Sequence, residues 1–181
     1  MKKPKPWNPG VDNNNCSLRS VMSSLEGFSQ NQIPWIIRVL ENPKSPLALT
    51  GAVNLFDHDC IHALLGRGLS ERDEAFVIGF TMGSNPNLKK YEILIFKFFS
   101  MYIYPKIYKF NAKEIKVFNL GINAAKEMKS PNIDAFCFEE HLDEKIGHLR
   151  EKFSINIELL KKYQNLENEI FQPKKETYIL D

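Results

Sequence analysis

Apolar residues recur at helical spacing along most of this chain, and no stretch alternates apolar with polar as a half-buried strand does. The pattern predicts short helices near 16–26 and 30–41, the second opened by Ser29 with Gln32 at capping-box spacing. Asn42-Pro43-Lys44-Ser45-Pro46 reads as a linker. A helix over about 48–65 and a partner over about 70–83 follow, and Asn85-Pro86-Asn87 starts a long helix to roughly 109. Asn111 with Glu114 marks another cap, for a helix to about 128 that stops before Ser130-Pro131. Segments near 134–141, 143–153 and 156–170 complete the series. The class is therefore all-α: a single compact helical domain over 16–170, between a polar leader (1–15) and a charged tail (171–181), with no internal repeat.

The helix predicted at 48–65 is too apolar for a surface helix. Val53, Phe56, Cys60 and Leu64 group on one side, and Ala52, Leu55, Ile61, Ala63 and Leu65 fill most of the gaps. Against them stand His58, Asp59 and His62, which at about 100° per residue span only a third of the circumference. Buried imidazoles and carboxylates must be paired, hydrogen-bonded or metal-bound to offset their desolvation. A lone histidine on such a helix is more often a hydrogen-bonded core residue; two histidines and an aspartate together point to a ligand.

The turn Gly66-Arg67-Gly68-Leu69 can take the positive φ angles that end a helix, and Ser70 reads as the next N-cap. Glu74 then falls early in the partner helix, before the run Ala75-Phe76-Val77-Ile78-Gly79-Phe80, where a tight hairpin can fold it back onto the two histidines. Two imidazoles and two carboxylates form the mixed nitrogen and oxygen set of zinc, iron or manganese, with zinc foremost, and no thiolate cluster suggests structural zinc. Competing motifs fit less well. Zinc proteases carry His-Glu-x-x-His, whereas Asp59 stands at the glutamate position and no third histidine follows Gly66 at the extended spacing. HD-type phosphohydrolases need an upstream histidine, and none precedes His58.

His-Asp-x-x-His, eleven residues, then Glu resembles the signature of the Coq-four family of ubiquinone-biosynthesis proteins, with the spacing matched in full. Phe138-Glu139-Glu140-His141 and the stretch Ile146 to Ile155 resemble that family's closing helix. The resemblance covers roughly residues 50–155 and does not extend to the first forty-five or so. It implies that His58, Asp59, His62 and Glu74 hold one divalent ion, that the protein is helical and peripheral to membranes, and that it binds polyprenyl lipid. It further implies loss of the C1 carboxylate from a prenylated hydroxybenzoate and company with other quinone-biosynthesis proteins. An aspartate or glutamate that orients an imidazole rather than touching the ion is the alternative for one of the four.

The segment from Tyr91 to Phe110 adds lipid to the picture. Phe96, Phe99, Tyr102 and Ile103 are its candidate lipid contacts, because aromatic residues fall on more sides than one core face needs. Lysines 89, 90, 97, 106 and 109 punctuate it, as on a helix whose apolar surface meets lipid while its basic groups reach headgroups. A core helix kinked at Pro105 is the competing reading. Arg150 is a candidate for a carboxylate or phosphate headgroup, against the plainer alternative of an interhelical ion pair. Glu139, Glu140 and His141 read as a solvated face.

Charge and cysteines mainly exclude. A formal net charge of +2 favours no nucleic-acid partner. Cys16, Cys60 and Cys137 lack paired spacing and read as reduced thiols in an intracellular compartment. Met1 to Pro6 has charge without the apolar run of a secretory signal, and Ile93 to Tyr104 is well short of the about 20 residues of a spanning helix. The expected function is a metal-dependent lyase acting on a prenylated aromatic head. The alternative is a non-catalytic prenyl-lipid carrier or scaffold, since no nucleophile with an evident base stands out.

Overall fold

The computed structural model describes residues 7–25, 40 and 42–172. Among them seven α-helices follow one another: α1 (Leu18–Ser23), α2 (Leu55–Leu65), α3 (Glu71–Ser84), α4 (Lys90–Phe98), α5 (Ala112–Met128), α6 (Ile146–Lys152) and α7 (Ile157–Phe171). No strand occurs among the described residues, only one isolated bridge between Ser17 and Lys145, so the fold is all-α. The expected helix near 30–41 and most of the charged tail lie outside the described residues.

Local chemistry sets most helix starts. Asn54, Ser70 and Asn156 each accept from a backbone N–H three residues on, and Asn111 with Glu114 forms a reciprocal capping box. The motif helix begins at Leu55 instead of near 48. Gly51 holds φ +92°, and a Cβ there would stand 2.7 Å from Met82 Cα, so the chain turns tightly against α3 before Asn54 caps α2. The long helix expected to about 109 is also broken. It is α-helical only to Phe98, widens into a π-helical turn over Phe99–Ile103, and stops at Pro105, which has no N–H to continue the ladder.

The core forms chiefly where α3 lies along α5. Phe76 and Phe80 of α3, Phe118 of α5 and Phe96 of α4 are fully buried there, with Phe96 stacked on Phe118 at 4.7 Å between ring centroids. Glycines let the two backbones close: a Cβ on Gly83 would meet Ile122 Cα at 2.7 Å, and one on Gly79 would overlap the carbonyl oxygen of Phe118. α7 also packs on α5, while α2 is held by α1, α3, α6 and the 3-10 turn Phe138–His141.

Residues 7–15 are not the free leader that their polarity suggests. Val11 is buried, Trp7 packs against the core, and Asn13 donates to Ala63 O at 3.3 Å. Asn8 and Asn14 accept here, from Gly10 N–H and from Arg150, so the short polar side chains of this segment are used in contacts that composition does not reveal.

Candidate metal centre

His58 and His62 sit one turn apart on α2, with Nε2 atoms 3.0 Å apart and rings in an edge-to-face arrangement. The turn that follows reverses the chain. Gly66 takes φ +64° at the end of α2, and Arg67 N–H donates to His62 O at 2.9 Å. Ser70 then caps α3, whose first turn carries Glu74 back over the histidines. Glu74 Oε2 lies 3.0 Å from His58 Nε2, and its Oε1 lies 3.5 Å from His62 Nε2.

His62 is fully buried at the base, His58 keeps 19% of its side chain exposed, and Glu74 keeps 33%. These three residues each offer a ligand atom, all within 4.8 Å of one another. The spacing suits a divalent ion. Donors at about 2.0–2.1 Å from a metal are about 3.3 Å apart in tetrahedral geometry and about 2.9 Å apart at right angles. The proton count points the same way, since one Nε2–H on His58 cannot serve both the His62 ring and the Glu74 carboxylate fully. A cation would take all three lone pairs at once.

Electrostatics follow from this packing. Burial pushes the Glu74 carboxyl up, but attraction from His62 and hydrogen bonds from His58 and His62 outweigh it and hold the group well below the usual range. The Asp59 carboxyl moves the other way. Burial raises it and the Glu74 charge adds to that, only partly countered by the two histidines.

Asp59 is the one expected ligand that does not join the group of three. At about 100° per residue His62 lies only about 40° around α2 from His58, whereas Asp59 lies about 100° away. Its short side chain does not span that difference, and it makes no hydrogen bond with a described residue while remaining close enough to feel all three neighbours.

Two other expected site residues are structural. Arg150 is 2% exposed and donates to Leu64 O (2.7 Å), Val11 O and Asn14 Oδ1 (both 2.6 Å), so it ties down the end of α2 from within rather than facing a headgroup. Phe96 is 1% exposed and belongs to the core. Phe99 is half-buried in a small cluster with Leu40, Leu49, Tyr104 and Tyr108, while Tyr102 and Ile103 are exposed. Cys60 is buried and its thiol is pushed up by burial and nearby carboxylates, which makes it inert. Glu139 and Glu140 are exposed, while His141 stacks on Phe136 and its Nδ1 lies 2.6 Å from Glu144 Oε1.

Sequence reading missed Tyr108. Burial raises its hydroxyl pKa, and the Glu74 charge adds to this, so the end of the aromatic segment reaches the neighbourhood of the cluster. Its sequence position, beyond Pro105, gave no sign of that approach.

No protein-family profile, curated protein or solved structure matches this chain.

Proposed function

We propose that this is a divalent-metal protein of quinone or prenyl-lipid metabolism, in which His58, His62 and Glu74 hold the ion. The observation that carries the reading is the convergence of those three side chains from two helices, at the spacing that resembles the Coq-four signature. Zinc is the ion the set suits first, with iron or manganese as alternatives. Such an ion supplies Lewis acidity, which stabilises charge on a carboxylate or phenolic oxygen as carbon dioxide leaves a prenylated hydroxybenzoate. Within the protein, His62 anchors the site from the buried side, and the partly open His58 and Glu74 leave room for an aromatic head to approach. Asp59 fits an outer position, where its carboxylate acts on the site through charge without a hydrogen bond to either imidazole.

The lipid side of the proposal rests on the surface of α4 and the π turn after it. Among the described residues, six of the seven large exposed apolar side chains fall between Tyr91 and Ile107, and Tyr91, Leu94, Phe98 and Tyr102 follow one another at helical spacing. The one acid of this stretch, Glu92, is buried, so the charges it shows to solvent are lysines. An apolar stripe with a basic rim suits the surface of an anionic membrane and the polyprenyl chain within it. No helix of the described residues is long and apolar enough to cross a membrane. A non-catalytic carrier or scaffold for prenyl lipid is the second reading, favoured by the absence of a nucleophile paired with a base at the cluster.

Elemental analysis tests the metal reading: wild type is expected to hold close to one divalent ion, and His58→Ala or His62→Ala to lose it while the exposed His148→Ala does not. Folded wild type that takes up no ion overturns the reading. Incubation of loaded protein with a prenylated hydroxybenzoate, followed by mass spectrometry, separates enzyme from carrier. Tyr102→Asp and Ile103→Asp are expected to abolish binding to anionic liposomes with the fold intact, and unchanged binding refutes the lipid face.

A further inference from the structure

The two helices that carry the metal-binding side chains touch each other little. α3 rests mainly on α5, and its contact with α2 is comparable to those α2 makes with α1, α6 and the 3-10 turn. The meeting of His58 and His62 with Glu74 is therefore not fixed by a broad α2–α3 interface. It depends on how the Gly66–Leu69 turn is held.

One carboxylate from the far end of the chain holds both sides of that turn. Glu167 of α7 is fully buried and receives two hydrogen bonds from Arg67, Nη2 to Oε1 at 2.6 Å and Nη1 to Oε2 at 2.8 Å. The same Oε2 receives Arg72 Nε at 2.9 Å, and Arg72 Nη2 goes on to Asn168 Oδ1 at 2.9 Å and to Gln164 O. Arg67 is the residue whose backbone N–H donates to His62 O, and Arg72 stands two positions before Glu74 in the first turn of α3. The carboxylate is thus linked to His62 through Arg67 and to Glu74 through Arg72. Arg67 is itself pinned, with its guanidinium 3.8 Å above the Phe76 ring and its side chain 3% exposed.

A buried ion cluster of this kind adds little net stability, because the desolvation of three charges roughly cancels their attraction. What it does supply is geometry. Planar guanidinium groups in bidentate contact fix direction as well as distance, which a pair of aliphatic side chains does not.

We propose that Arg67, Glu167 and Arg72 are positioning residues for the metal centre, setting the angle of the α2–α3 hairpin so that His58, His62 and Glu74 meet. The inference rests on the metal reading above and adds to it a dependence on the C-terminal helix α7.

Zinc affinity of the folded chain, measured by competition with a chromophoric chelator, tests it together with thermal unfolding of the metal-free protein. Arg72→Gln leaves the bidentate Arg67–Glu167 pair in place and so keeps the fold. The double change Arg67→Met with Glu167→Leu removes the two fully buried charges together, and Arg72, partly exposed, keeps Asn168 Oδ1 and Gln164 O. Both are expected to weaken zinc binding about tenfold or more, the usual scale for lost support around a ligand, with metal-free melting near that of wild type. A purely structural role would shift melting and leave the affinity of the folded protein unmoved. Variants that bind zinc like wild type, whatever their melting temperature, overturn the positioning role while the metal reading stands. Wild type that binds no zinc overturns both.

Discussion

Adding one methyl group at the α3–α5 crossing tests the packing that carries Glu74. On Gly83 the new Cβ would lie 2.7 Å from Ile122 Cα and 2.8 Å from Ile122 O, both backbone atoms that no rotamer can move aside. Ordinary carbon contacts are about 3.5–4.0 Å, so α5 must retreat by roughly 1 Å, enough to forfeit a quarter to a half of the dispersion energy of contacts along the crossing. Overpacking of this sort costs about 1–3 kcal/mol, while replacing a helical glycine by alanine returns about 1 kcal/mol. The net expectation for Gly83→Ala is a loss of about 0–2 kcal/mol. Gly79→Ala is expected to lose about 3 kcal/mol or more, since its methyl would overlap Phe118 O outright. Gly147→Ala on α6 is the control: its Cβ would stand 3.2 Å from Asn14 O, a contact relieved by a few tenths of an ångström, and its effect should be near zero. Urea unfolding with unchanged m-values measures the series. A Gly79→Ala protein as stable as wild type, or a reversed order of the three, would refute the reasoning.

Arg150→Met should cost about 3 kcal/mol in the same assay, because it strips charged donors from Leu64 O, Val11 O and Asn14 Oδ1 inside the protein; a neutral result would show that water replaces it. The pH dependence of the metal-free protein has a definite sign. Glu74 is held below its ordinary value of 4.5, so its stabilising contribution is present above that value and lost as pH falls through and below it. Wild type should therefore lose more thermal stability than Glu74→Gln between pH 5 and pH 3, a window of about two pH units around that value, and equal losses would contradict the assignment.

The hairpin was legible before any coordinates because each signal was local: glycines at the turn, a serine cap three residues before an acid, and histidines four apart. The Asn111 and Glu114 cap was readable for the same reason. Failures came where distant chain segments decide the outcome. Asp59 looked like a ligand because wheel positions do not show where a facing helix will place its carboxylate. Arg150 read as a headgroup or ion-pair residue because its acceptors lie 86, 136 and 139 residues away. Glu167 and Arg72 gave no signal, since nothing in a solvated-looking pattern on α7 marks one glutamate as fully buried.

The number of converging donors bears on chemistry. Four protein ligands around zinc close a site, whereas three leave a position for water or substrate. Here three meet, and the side that faces solvent is the side of His58 and Glu74, not of buried His62. An ion held this way would therefore be open to an added ligand. Cobalt in place of zinc makes that openness visible, because its absorption bands respond to coordination number. The cobalt-loaded protein is expected to change spectrum when 4-hydroxybenzoate is added, and Asp59→Asn to show the same response, since Asp59 stands outside the donor group. A spectrum indifferent to the carboxylate would indicate a closed, structural ion, and a response lost only in Asp59→Asn would return that aspartate to the set of ligands.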